Sequence, residues 1–199
     1  MFQGRLSELS QCVAECFVTE GLSSITVDQG LISAARLIAA TQGIVYVIGN
    51  GGSAGIASHF ANDLLKALHI PSQTLYDSNL MTCLSNDLGY EHVFSFPLKK
   101  LLKSNDLLVA ISSSGKSPNI LNATQVAIEH RIPLITLSGF FPSNPLRAQG
   151  SLNFWIDRSD YGLVESAHFI LLHSLIDLWK PLTGTTSHVK NDRAAFAAT

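Results

Sequence analysis

From residue 44 onward, two kinds of hydrophobic pattern alternate along the chain. Almost unbroken apolar runs occupy 44–48, 107–111, 134–137 and 152–156, and in most of the segments between them apolar residues recur at three- and four-residue steps. The runs are typical of strands buried on both faces, and the longer steps are typical of amphipathic helices. This alternation predicts an α/β fold with a parallel sheet covered by helices on both faces. We expect the run at 152–156 to lie at a sheet edge.

The first 43 residues carry a helical pattern only. One helical face would hold Leu6, Leu9, Val13, Cys16 and Phe17, and Gly21 would end that helix. A second helix is predicted over 27–41, with a glycine as its stop signal. Two helices are therefore expected before the first strand, as part of the same domain, and we expect them to contact other subunits.

A glycine-rich stretch follows the first strand and precedes a predicted helix over 54–68. Such a turn presents backbone N–H groups at the positive end of a helix, where an anion is favoured, and Ser53 is predicted to cap the helix. The expected phosphate-binding residues are Asn50, Gly51, Gly52 and Ser53. Two other interpretations stay open here. Gly49-x-Gly51-x-x-Ala54 also fits a dinucleotide-binding fingerprint, with Asp77 as a ribose ligand, and the stretch is also compatible with a plain tight turn.

A serine-rich loop repeats this arrangement after the strand at 107–111. Pro118 stands where the first residue of the next helix is expected, and Ser117 stands at its N-cap. Hydroxyl groups beside backbone donors suit the three acceptor oxygens of a phosphomonoester, although a serine-rich turn that only caps a helix is the simpler alternative. The predicted ligand-binding residues are Ser112, Ser113, Ser114 and Ser117. Because ligands of such folds bind beyond the carboxyl ends of the strands, both loops are expected to face one pocket.

The overall composition narrows the class of protein. The 199 residues are 46% hydrophobic and carry a formal net charge of −2 without a basic run, which suits one compact domain and gives no electrostatic footprint for nucleic acid or membranes. Three irregularly spaced cysteines predict neither a disulfide framework nor a zinc finger, so a reducing, cytoplasmic location is expected. The polar composition at 182–199 predicts a disordered tail.

The two loops, together with His59-Phe60-Ala61 and Asn86-Asp87, resemble the sugar isomerase (SIS) domain, and within it the phosphoheptose isomerases. The resemblance implies a single SIS domain with its core at 44–181, built as a flavodoxin-like doubly wound parallel sheet flanked by helices. It also implies a sugar phosphate ligand, which Asn86 and Asp87 help to bind, a homotetramer and no nucleotide cofactor.

The resemblance further assigns catalytic roles for interconversion of sedoheptulose 7-phosphate and a manno-heptose 7-phosphate through an enediol. The family's base falls on Asp63, where glutamate is usual, and its histidine on the last helix falls on His173. Glu165 stands where glutamine is usual and is expected to contact the substrate, and His168 matches another family histidine. Some members hold a metal, so a zinc site is also implied; its ligands would be His59, Asp63, Glu165 and His173.

Three positions depart from the family pattern. Ala54, Ala67 and Gly162 stand where the isomerases commonly carry a histidine, a basic residue and an acidic residue. A different phosphosugar substrate would account for these changes. They are equally compatible with a non-catalytic SIS module, such as a phosphosugar sensor or the family branch that associates with the bacterial replication initiator.

Overall fold

The computed structural model describes residues 2–182, which form a seven-stranded sheet with helices on both faces. The helices are α1 (Phe2–Ala14), α2 (Val27–Ala40), α3 (Gly52–Leu68), α4 (Ser78–Leu88), α5 (Ser95–Leu101), α6 (Pro118–Glu129) and α7 (Tyr161–Leu182). The strands are β1 (Phe17–Glu20), β2 (Ser23–Ile25), β3 (Val45–Ile48), β4 (Ser72–Gln73), β5 (Leu107–Ser112), β6 (Leu134–Gly139) and β7 (Leu152–Ile156). The predicted tail at 182–199 lies outside the described residues, apart from the last residue of α7.

The sheet order is β2-β1-β7-β6-β5-β3-β4. Strands β4, β3, β5, β6 and β7 are parallel, and their order is that of a flavodoxin-like doubly wound fold. The predicted α/β fold class is therefore confirmed. β1 and β2 add an antiparallel hairpin beside β7, so the sheet is mixed and not purely parallel.

The N-terminal hairpin contradicts the sequence prediction at two points. The helix predicted to reach Gly21 ends at Ala14, and two strands follow where none was expected. Val18 pairs with Phe154 of β7, and Gly21 forms the hairpin turn with a φ of 57°. Strand pairing with a distant segment overrides the local helical spacing, and it also moves β7 from the predicted edge into the sheet interior.

Two hydrophobic layers cover the sheet, because successive side chains of each strand point to opposite faces. Val45 and Val47 of β3 pack with α1, α2, α3 and α7, whereas Tyr46 and Ile48 pack with α4, α5 and α6. Helices α3 and α7 lie against each other on the first face. Within the described residues, no helix is both long and apolar enough to cross a membrane.

Candidate functional site

The glycine-rich and serine-rich loops meet at one cavity of about 220 Å³ beyond the carboxyl ends of β3 and β5. The predicted common pocket is therefore present. Its walls consist of Asn50, Gly51, Gly52, Ser53, Ile111, Ser112, Ser113, Ser114, Ser117, Tyr161 and Glu165. Eight of the residues predicted to bind the substrate phosphate lie in this wall, and Glu165 joins them from α7.

The first loop begins α3 without a side-chain cap. Gly51 is the N-cap residue with a φ of 53°, a conformation that a side chain would strain, and the helix starts one residue later. The prediction that Ser53 caps this helix is wrong, because Ser53 lies within the first turn and is buried against the cavity. The first N–H groups of a helix lack intrahelical partners, so this turn offers its donors to the cavity.

The second loop offers hydroxyl groups. Ser117 is the N-cap residue of α6 and Pro118 follows it, as predicted, but the Ser117 side chain does not cap the helix and its Oγ lies 3.2 Å from Oγ of Ser112. Ser113 is buried, and its Oγ has no hydrogen-bond partner among the described residues. A buried hydroxyl without a partner is costly, so Ser113 is suited to a ligand that supplies the missing acceptor.

A pair of asparagines ties the two loops together. The side chains of Asn50 and Asn119 exchange two hydrogen bonds of 2.9 Å, and the Tyr90 hydroxyl donates a third, of 3.0 Å, to Oδ1 of Asn50. Sequence reasoning missed Asn119, Tyr90 and the cavity residue Tyr161. Asn119 could have been identified from the sequence. It directly follows Pro118, the first residue of a helix beside a ligand-binding loop, and a polar residue at such a position is a candidate for a buried hydrogen bond.

Among the residues that the structure describes, Glu165 is the one charged residue in the cavity wall. Its carboxylate lies against Gly52, where any Cβ would overlap it. Partial burial raises the pKa of Glu165 above its ordinary value. A carboxylate beside neutral donors can accept hydrogen bonds from the hydroxyl groups of a polyol.

A second group of chemically active side chains lies further along α3 and α7. Oδ2 of Asp63 is 3.3 Å from Nε2 of His59 and 3.7 Å from Nδ1 of His173, and the candidate ligand atoms of the three residues all lie within 4.8 Å of one another. Two imidazoles and a carboxylate form a donor set that zinc accepts in three-ligand sites with an open position. We call this group the His–Asp–His cluster.

Among the described residues, three side chains do not lie in the groups predicted for them. Glu165 is not part of the predicted metal group, because it lies two helical turns before His173 and contributes to the cavity instead. Asn86 and Asp87 do not line the cavity either. They lie exposed near the end of α4, where Asn86 borders a separate open depression and donates to Asp87.

The side chain of His168 lies in the protein interior and contacts the backbone. It is fully buried, its Nε2 donates to the carbonyl of Ser138 at 3.1 Å, and its Nδ1 has no partner among the described residues. Burial lowers the pKa of His168 to about 4, so the imidazole is neutral in the folded protein at neutral pH. It lies outside both the cavity wall and the His–Asp–His cluster.

Comparisons with known proteins are consistent across sequence and structure. The SIS domain family model matches residues 18–139. A phosphoheptose isomerase of Colwellia psychrerythraea is 34% identical over 138 residues, which cover 65% of this chain and 70% of that protein. A phosphoheptose isomerase of Alkalilimnicola ehrlichii is 31% identical over 167 residues, covering 80% and 84%. The structure of phosphoheptose isomerase from Neisseria gonorrhoeae superposes with a TM-score of 0.76 at 26% identity, covering 90% and 99% of the two chains.

Proposed function

Because the chain belongs to the SIS domain family, we propose that it is an aldose–ketose isomerase that converts sedoheptulose 7-phosphate to D-glycero-manno-heptose 7-phosphate through an enediol. One observation carries the proposal. A cavity rich in neutral hydrogen-bond donors and a cluster of acid–base groups lie along the same pair of packed helices. The cavity suits a phosphate, and the cluster suits proton transfer.

The phosphate would lie between the two loops. Backbone N–H groups at the start of α3 and the hydroxyl groups of Ser112, Ser113, Ser114 and Ser117 supply its donors. No lysine or arginine lines the cavity among the described residues, so the phosphate is held by dipoles and hydroxyls and not by direct ion pairs. Glu165 is placed to accept hydrogen bonds from the sugar hydroxyls next to the phosphate.

The spacing along α7 suits a long sugar in its open-chain form. Glu165 and His173 are eight residues apart, which corresponds to about 12 Å of helix. An extended chain advances by about 1.2 Å per bond, so a seven-carbon sugar phosphate spans roughly 10 Å from phosphorus to C1 and a five-carbon one only about 7 Å. A seven-carbon sugar phosphate therefore matches this separation more closely than a five-carbon one.

The isomerisation needs one proton moved between carbons and one between oxygens. Asp63 would remove a proton from C1 of the ketose and return it to C2. His173, in its protonated form, would donate a proton to the carbonyl oxygen at C2 and then accept the proton of the C1 hydroxyl as the aldehyde forms. The 3.7 Å separation between the two side chains allows both to act on one enediol.

The same three side chains would hold zinc, the metal that the donor set fits. His59, Asp63 and His173 would be its ligands, and the bound ion would polarise the substrate carbonyl. Asp63 cannot be a tight metal ligand and an efficient base at once. The base role is therefore assigned to Asp63 in the metal-free protein.

The test is direct. Purified protein is incubated with ketose phosphates of five, six and seven carbons, with and without added zinc, and aldose formation is followed by NMR. We expect kcat/KM to rise with chain length and solvent deuterium to appear at C1 or C2 of the seven-carbon product. Absence of turnover with every ketose phosphate and under both metal conditions would refute the proposal.

A non-catalytic phosphosugar-binding module is the second candidate function. It is favoured by the position of Asn86 and Asp87 outside the cavity and by a His–Asp–His cluster that lies apart from the cavity wall. This alternative predicts saturable binding of a sugar phosphate without deuterium exchange. Calorimetry and the exchange experiment on the same preparation distinguish the two functions.

A further inference from the structure

The His–Asp–His cluster has little to fix the orientation of its two imidazoles. The side chains of His59 and His173 are 48% and 40% exposed, so burial alone does not select their rotamers. Their contacts with Asp63, at 3.3 and 3.7 Å, exceed the usual length of a strong charge-assisted hydrogen bond. Without a further contact, these interactions would leave the orientation of the two rings loosely defined.

Phe169 provides that contact from α7. Its ring meets the His173 ring edge-to-face, with centroids 4.5 Å apart and an interplanar angle of 81°. It also meets the His59 ring with centroids 5.1 Å apart, and the two imidazoles are 4.9 Å from each other. The three rings form a closed triangle beside Asp63, and aromatic pairs at these separations have preferred geometries.

Along α7, Phe169 also lies between the cavity residue Glu165 and the His–Asp–His cluster. It lies four residues after Glu165 and four before His173, so the three side chains share one face of α7. Phe169 is 36% exposed, which is more than a residue needed only for the core requires. Its neighbour Ile170 is 38% exposed and has no place in the ring triangle, so the chain offers a control of equal exposure.

We propose that Phe169 is a positioning residue that sets the orientation of the His59 and His173 imidazoles around Asp63. The inference rests on the proposed function for its catalytic consequence, but the ring geometry is independent of it. Phe169 does not itself exchange protons. It acts by restricting His173, which does, and His59 beside it.

The test compares Phe169→Leu, which keeps a large apolar side chain but loses the ring, with Phe169→Tyr, which keeps the ring, and with Ile170→Ala. The χ1 rotamers of His59 and His173 are measured by NMR from three-bond coupling constants in the metal-free protein, because chemical shifts would change through loss of the Phe169 ring current alone. We expect Phe169→Leu to average both side chains over several rotamers, and both other variants to keep the rotamers of the wild type. With the seven-carbon ketose phosphate, Phe169→Leu should lower kcat about 10-fold and leave KM within two-fold, because the phosphate cavity is untouched.

Two outcomes would overturn the inference. One is unchanged coupling constants for both histidines in Phe169→Leu, and the other is an equal change in Ile170→Ala, which would mean that any loss of packing on α7 has the same effect. If the wild-type protein shows no turnover, the proposed function fails while the NMR comparison still decides the positioning role. Thermal unfolding of each variant shows whether the fold is retained.

Discussion

Gly52 at the start of α3 lies directly beneath the carboxylate of Glu165 on α7. A methyl group built on Gly52 would overlap Oε2 of that carboxylate. The absence of a Cβ at this one position therefore lets Glu165 enter the cavity that the two loops form. The contact joins the first loop to the last helix, at the point where the phosphate is expected to bind.

Gly52→Ala should change ligand binding without loss of stability. Alanine favours a helix over glycine, and the atom it displaces is the mobile end of a side chain, so we expect the melting temperature to stay constant or rise. The Glu165 carboxylate should move, and the affinity for the sugar phosphate should change by several fold in calorimetry. Gly55→Ala is the matched control, because Gly55 lies in the same helix and has open space around it. Equal ligand affinities of Gly52→Ala and Gly55→Ala would show that Glu165 does not take part in ligand binding.

Ser113→Ala should weaken phosphate binding without destabilising the ligand-free protein. The hydroxyl is buried without a partner in the described part of the chain, so its removal should leave the free energy of unfolding constant or increase it. Loss of a hydrogen bond to a charged phosphate should cost about 1–3 kcal/mol of binding free energy. Titration calorimetry with the sugar phosphate measures the loss, and Ser166→Ala, at an exposed position on α7, serves as the control. Full affinity in Ser113→Ala would place the phosphate elsewhere.

Asp63→Asn should abolish turnover and retain binding. The change removes the base but preserves shape, so kcat should fall by at least about 10²-fold while the affinity for the sugar phosphate stays within a few fold. Asp63→Glu restores the reach usual in the family and should keep measurable activity. Asp28→Asn, at an exposed position on α2, controls for the loss of one negative charge. A fully active Asp63→Asn enzyme would exclude Asp63 as the base.

The neutral His168 predicts a pH dependence of stability. Below pH 6.5 the unfolded chain binds a proton at this imidazole, whereas the folded protein resists it down to about pH 4. The free energy of unfolding should therefore fall as the pH is lowered from 6.5 to about 4, by roughly 3 kcal/mol in total from His168. Above pH 6.5, His168 should make no pH-dependent contribution to stability. His168→Gln can still donate to the Ser138 carbonyl but cannot titrate. Urea unfolding at several pH values should show a flatter profile for the variant, and parallel profiles would contradict the assignment.

The homotetramer that the family resemblance implies remains a prediction for this chain. Large apolar side chains are exposed on the N-terminal segment, among them Phe2 and Leu22, and an exposed apolar surface of this kind favours burial against another subunit. Light scattering at micromolar concentration should give four times the chain mass of 21.5 kDa. A stable monomer would contradict both the assembly and any sharing of the site between subunits.

The sequence predicted the elements that depend on local patterns. The two loops, Pro118 at the first position of α6 and the parallel core strands are each defined by residues close together in the chain. The hairpin at residues 17–25 could not be predicted in this way, because its pairing partner, β7, lies more than a hundred residues later. The same holds for the separation of Glu165 from the His–Asp–His cluster, since side-chain directions on two packed helices are set by tertiary contacts. The role of Phe169 also depends on contacts between α3 and α7.

The pairing of Phe17 with Trp155 has a consequence for how the protein is made. A ribosome releases the N-terminal segment first, but β1 has no sheet to join until β7 has left the exit tunnel. During most of synthesis Val18, which is fully buried in the folded protein, lacks the strand that covers it. β1 can pair early with β2 inside the hairpin, but its pairing with β7 forms only when nearly the whole sheet exists.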